Sequence, residues 1–148
     1  TDASASEIGP DNGEFTITLS APLSVPLTVT YTLTGTANNG GDYQLLPVTA
    51  SFAAGATTAV VTVVPVLDAT ADNGETVVLT LTAVSIPTAV AIGTPDSATV
   101  TIADAPFVTV TATDASASEI GPDNGEFTIT LSAPLSVPLT VTYTLTGT

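Results

Sequence analysis

The same 36 residues occur twice in this chain. TDASASEIGPDNGEFTITLSAPLSVPLTVTYTLTGT spans residues 1–36 and returns unchanged over 113–148, a period of 112 residues (113 minus 1). That period is the size of one sandwich domain, so the chain has to build a unit of about that length and then begin again. Repetition at a fixed period is the mark of an array. The chain reads as one full repeat plus the opening third of the next, cut from a longer tandem protein.

Inside the period the apolar residues recur every second position. Phe15, Ile17 and Leu19 alternate with Thr16 and Thr18; Leu27, Val29, Tyr31 and Leu33 alternate with Thr28, Thr30, Thr32 and Thr34. Successive side chains of a strand point to opposite faces, so each segment is half apolar and half polar. The same reading places strands over residues 47–53, 57–66, 77–83, 98–102 and 107–113. Pro65 sits near the end of its segment, which suggests an edge or a terminus. Turn formers separate the segments: Pro10-Asp11-Asn12-Gly13, Asn39-Gly40-Gly41, Ala54-Gly55-Ala56 and the acidic loop LDATADNG at 67–74. Short strands at this spacing, with no helical pattern between them, indicate an all-β antiparallel sandwich. The strand FVTVTAT (107–113) stands ahead of the second copy, and none stands ahead of residue 1. The expected boundary is therefore Ala105-Pro106. Residues 1–105 form a sandwich lacking its own first strand, and 106–148 form the first third (strands A to C) of the next identical repeat.

The chain has no Lys, Arg or His and 14 acids, for a net charge of -14. Ten of the acids fall in the first period (Asp2, Glu7, Asp11, Glu14, Asp42, Asp68, Asp72, Glu75, Asp96, Asp104) and four in the copy (Asp114, Glu119, Asp123, Glu126). Every further repeat adds a charge of about −10 with no internal counter-charge, which favours an extended, soluble array and attracts cations. Nucleic acid and anionic membranes, which demand Lys or Arg against phosphate, are disfavoured partners. No apolar run approaches the roughly 20 residues of a membrane helix. The absence of Cys and His excludes thiol chemistry and triads; without Lys or Arg there is no Schiff base and no cationic clamp. A carboxylate pair is the one catalytic device left, and no Trp is available to line a sugar cleft. The chain is not expected to be an enzyme. Asn38-Asn39-Gly40-Gly41 leads into Asp42, which repels phosphate, so it is no phosphate loop.

Taken in order, SEIGPDNGEFTITLS, GTANNGGDY, SFAAGATTAVVTV, LDATADNGETVVLTLT and ATVTIAD resemble the Calx-beta domain over essentially the whole period. The resemblance implies a Greek-key, Ig-like sandwich of about seven strands, here in tandem repeats of period 112. It also implies Ca²⁺ at one end of the sandwich near the junction with the next domain. The matching positions are Glu7, Asp42 in GGDY, Asp68, Asp72 and Glu75 in the acidic loop, and Asp104 in the closing turn, with Glu119 as the second copy's Glu7. Ca²⁺ takes six to eight hard oxygen ligands from flexible loops, and in the strand reading above the six matching acids of the first period (Glu7, Asp42, Asp68, Asp72, Glu75 and Asp104) all fall in loops. The sequence departs from the family pattern in three places, the first being that Ile8 stands between Glu7 and Gly9 where the family has Glu-Gly. Asp72-Asn73-Gly74-Glu75 stands where the family has Glu-Gly-Asp-Glu, and Asp104 is a lone closing acid, so one or two weak sites are expected. The alternative is that these acids are solvated loop charges and turn formers.

DNGE recurs at 11–14, 72–75 and 123–126 and is read as a turn whose Gly takes positive φ. The Thr row 28-30-32-34 is read as the solvent face of a good β-former, with an ice-binding surface as the sharper alternative. Two functions compete. One is a structural repeat of a long secreted or cell-surface protein, an adhesin stalk or extracellular fibre stiffened by weak Ca²⁺ sites. The other is an adhesive module for carbohydrate or a host ligand. The expected partners are neighbouring identical repeats, joined covalently or by strand exchange into a polymer, then other fibre strands or cell-surface glycans.

Overall fold

The alternating segments of the first period are all strands in the computed structural model, which describes residues 2–9, 11–68, 70, 74–121 and 123–147. In chain order the strands are β1 (Ser4–Ser6), β2 (Gly13–Thr18), β3 (Leu27–Gly35), β4 (Thr49–Phe52), β5 (Thr58–Val63), β6 (Glu75–Val84), β7 (Ser97–Ala103), β8 (Val108–Asp114) and β9 (Glu126–Leu131). They belong to two units, Thr1–Ala105 and Pro106–Thr148.

The first unit is an all-β Greek-key sandwich. One sheet has five strands in the order β1-β7-β6-β3-β4 and the other has two, β2-β5. The pairs are antiparallel except β1 with β7. The period-two pattern sets what is buried. Phe15 and Ile17 of β2 and Ala59, Val61 and Val63 of β5 face Leu27, Val29, Tyr31, Ala50, Phe52, Val77, Leu79, Val100 and Ile102 of the larger sheet. The Thr row of β3 lies on the other face, beside Thr49, Ser51 and Thr80 of its neighbours. β5 ends at Val63, two residues short of Pro65, whose missing N–H cannot serve a ladder.

Two expectations change. Residues 2–6 carry a strand that their small side chains do not announce. Asp2 pairs with Glu14 at the edge of β2, after which Ser4, Ala5 and Ser6 run parallel to Thr101, Ile102 and Ala103 of β7. The segment passes from one sheet to the other and buries Ala5 between them. In the second unit, β8 pairs with β9, the counterpart of β2, but the expected third strand is absent. Residues 139–147 repeat β3 residue for residue and form no strand. β3 lies between β4 and β6, and residues 106–148 hold no counterpart of either.

Candidate functional site: the acidic end of the sandwich

The strand registers bring four loops to one end of the first unit. β3 finishes where β6 starts (Gly35 opposite Val77), and β5 finishes where β2 starts (Val63 opposite Gly13). β7 finishes beside the starts and ends of two others, with Ile102 opposite Glu75 and Ala103 opposite Ser6. The loops 7–12, 36–48, 64–74 and 104–107 therefore emerge together. They or their margins carry Glu7, Asp11, Asp42, Asp68, Glu75 and Asp104. Asp72 lies outside the described residues.

Each carboxylate has a distinct setting. The Glu7 backbone N–H donates to the Ala103 carbonyl at 3.0 Å, and its Oε2 accepts from the Ala105 N–H at 3.1 Å. This closes residues 98 positions apart into one corner, with Asp104, half-buried, between the two anchor points. Asp42 accepts through Oδ2 from the Asn38 N–H at 2.6 Å, while its carbonyl accepts from the Val66 N–H at 2.9 Å. It thus closes the 38–42 turn and ties it to the loop after β5. Asp68 is exposed, and its Oδ1 accepts from the Thr70 N–H at 2.6 Å, an Asx-type turn.

Glu75 differs from the expectation that all these acids lie in loops. It is the first residue of β6, on the inward face with Val77 and Leu79, and only 7% exposed. Gly74, at φ +84°, takes the left-handed conformation that turns the chain into the strand two residues ahead of the segment expected from Val77. Glu119 is exposed in the turn after Ser118. From the sequence Asp11 is only a turn former. Its carbonyl accepts from the Ser6 N–H at 3.0 Å, which places it at the same acidic end. The signal available for it was the Asp ahead of a strand whose start had to lie beside the end of β7.

Among the described residues no group of three or more Asp and Glu side chains is close enough to hold a metal ion. The donor chemistry at this end is nonetheless uniform. It consists of carboxylate and carbonyl oxygens, without nitrogen or sulfur ligands, and the chain has no cation to neutralise it. Such a set suits a hard divalent cation. Beneath the loops Tyr31 and Tyr43 are buried. Burial raises the pKa of both phenols, and for Tyr43 the negative Asp42 next to it and then Tyr31 raise it further. The Tyr31 hydroxyl is buried without a hydrogen-bond partner among the described residues.

The Calx-beta domain family profile matches residues 9–106. Among solved structures, the calcium binding domain CBD12 of CALX1.1 is similar at TM-score 0.57 and 23% identity, over 70% of this chain and 41% of that one. CBD12 from CALX1.2 gives TM-score 0.56 at 24% identity over 68% and 41%. The apo form of the Calx CBD1 domain gives 0.57 at 23% over 70% and 90%. The chain thus spans about two fifths of the CBD12 structures it matches. No curated protein matches it significantly in sequence.

Proposed function

The chain belongs to the Calx-beta domain family, and from that premise we propose that it is a structural repeat module of a long secreted or cell-surface protein, with weak Ca²⁺ sites at the acidic end of each sandwich. The observation that carries this reading is that end itself. Four loops deliver carboxylates to one pole of a sandwich in a chain without a single Lys, Arg or His. Uncompensated charge of that density recruits divalent cations. Glu7, Glu75 and Asp104 are the residues that would hold the ion, with Asp68 and Asp42 on the adjoining loops. Bound there, Ca²⁺ supplies charge neutralisation and cross-links the start of the sandwich to the segment leading out of it. Glu7 already binds the Ala105 N–H, so the ion would stiffen a corner the fold has prepared. The 112-residue period makes that corner recur along an array, as in a stalk or fibre.

Calorimetric titration of the chain with Ca²⁺ tests the metal. A dissociation constant of about 10⁻⁴–10⁻³ M, the range of extracellular modules, is expected. No heat and no change in Tm at millimolar Ca²⁺ would sink the idea. Small-angle scattering of a chain of several repeats, with and without chelator, tests the stiffening; an unchanged profile refutes it.

A further inference from the structure

β1 is a short strand with little to bury. Residues 4–6 read Ser-Ala-Ser, and of the three only Ala5 is buried. A strand this small adds little to the core, yet the segment that holds it is bonded along both sides. Its odd residues bond to β7. The Thr101 N–H donates to the Ala3 carbonyl at 2.9 Å, Ala5 lies opposite Ile102, and the Glu7 N–H donates to the Ala103 carbonyl at 3.0 Å. The Glu7 carboxylate adds a further bond, accepting from the Ala105 N–H at 3.1 Å. The even residues bond the other way. Asp2 and Glu14 exchange both backbone bonds, at 3.1 and 2.8 Å, and the Ser6 N–H donates to the Asp11 carbonyl at 3.0 Å. Ala5 is seated so closely that its Cβ would lie 3.4 Å from a Cβ on Gly13.

We propose that β1 and β7 form a shear clamp, the element by which the first unit resists a pull along the chain. They are its first and last strands, and their pairing is parallel. Tension along the chain enters β1 at its start and leaves β7 at its end. Because the two strands run side by side in one direction, they are drawn in opposite directions along a shared axis. Ser4 is level with Thr101, which puts Asp2 level with Thr99 and Asp104 five residues further on (104 minus 99). Five residues span about 16 Å along the axis, against about 4.8 Å across to the next strand, so the line of pull lies about 16° from the strands. The bonds of the pair stand crosswise to that line. They are loaded together, and none gives way before its neighbours.

The remaining strands are shielded. β2 to β6 supply most of the core, but they lie outside the path from β1 to β7 and come under load only after that pair has slipped. Mechanical strength and folding stability therefore separate. Equilibrium stability depends mainly on the apolar area that both sheets bury, whereas forced unfolding is governed by the unfolding rate, which the clamp sets. A strand of small residues, poor as core, is suited to this task because its contribution is the ladder itself. Where such repeats follow one another the clamps stand in series, and to that extent the inference rests on the stalk reading. The geometry within one unit stands without it and without calcium.

Single-molecule stretching of the 148-residue chain in chelator is the test, with the direction of pull as the variable. The chain has no Cys, so one introduced thiol takes a handle uniquely. The wild type is pulled by its two ends. Ile8→Cys is pulled from residue 8 and the C-terminal end. Ile8 is 48% exposed and, by the register of β1, level with Ala105, so this pull runs across the pair and opens its bonds singly. Residues 106–148 are in series in both, and the first unit is recognised in either by a length gain of about 340 Å. The crosswise pull is expected to unfold it at a force lower by a factor on the order of three, since the bonds at Ala3 and Glu7 no longer share the load. Pulled by its ends, Glu7→Ala lacks one bond of the clamp and is expected to unfold about fivefold faster at fixed force. Val61→Ala, in the buried face of β5, is expected to lower the urea midpoint and leave the unfolding force unchanged. Equal forces in the two directions, a Glu7→Ala rate no different from wild type, or a Val61→Ala protein weakened under the end-to-end pull as much as Glu7→Ala overturns the proposal.

Discussion

Gly13 and Gly125 occupy the same place in the repeated block, and the structure assigns them opposite sensitivities. A Cβ on Gly13 would collide with Val100 Cγ1, with Val100 Cγ2 at 3.3 Å and Ala5 Cβ at 3.4 Å. Val100 is fully buried and β-branched, so it has little rotamer freedom with which to retreat. Forcing a methyl into such a site costs about 1–3 kcal/mol. Gly13 has no positive φ, so Ala fits the backbone and recovers about 0.4–1 kcal/mol by restricting the unfolded chain. The net loss for Gly13→Ala is about 1–2 kcal/mol, a fall in Tm of about 4–16 °C for a unit of this size. At Gly125 the nearest atom to an added Cβ is the Asp114 carbonyl oxygen at 3.4 Å, an ordinary contact. Gly125→Ala is expected to leave Tm within about 2 °C. Thermal unfolding followed by far-ultraviolet circular dichroism measures both. Equal melting temperatures for the two variants, or a Gly13→Ala protein as stable as wild type, would refute the reasoning that Gly13 is set by the close approach of β2 to β7.

The partnerless Tyr31 hydroxyl makes Tyr31→Phe neutral or stabilising by up to about 1 kcal/mol; a urea midpoint that drops by more than that shows the hydroxyl is satisfied after all. Tyr31 and Tyr43 both have folded pKa values raised above the ordinary 10.0. Above pH 10 the unfolded chain therefore loses protons that the folded one keeps, and stability falls as pH rises. Urea midpoints are expected to hold below about pH 9.5 and decline through and beyond pH 10; a midpoint that climbs over that interval contradicts the sign. For the metal, Glu75→Gln removes a buried carboxylate from the proposed site and is expected to weaken Ca²⁺ binding on the order of tenfold. Glu119→Gln, in the second unit, is expected to leave the titration unchanged, and equal losses from both would displace the site from the first unit.

The candidate site was legible in part. Acids in loops are visible in the sequence, and the family resemblance put most of them in one set. That the loops share a pole depended on registers between strands distant in sequence, such as Glu75 with Ile102 and Ser6 with Ala103. The bond from Glu7 to the Ala105 N–H joins residues whose proximity no local pattern encodes. The apolar alternation begins at Val77 and so leaves Glu75 in the loop; the register with β7 extends β6 by two residues and turns the carboxylate inward. DNGE offered the same local chemistry at each occurrence. Only at 72–75 does its Gly take positive φ, whereas Gly13 is held to Gly by crowding from Val100.

By itself the sequence determined the strands. Period-two alternation in Thr and β-branched residues marks every segment from β2 to β8, and the turn formers between them end each one close to where it ends in three dimensions. The fate of a strand was decided by its neighbours. LTVTYTLTG is β3 at residues 27–35, with β4 on one side and β6 on the other, and Tyr31 is 1% exposed. The same nine residues at 139–147 form no strand, and Tyr143 is 67% exposed. β9 does form, because its partner β8 lies just upstream in the chain. Alternation prepares an apolar face and a row of backbone donors and acceptors. Only paired strands on the edges and a second sheet on the face satisfy them, and these come from residues far away in sequence.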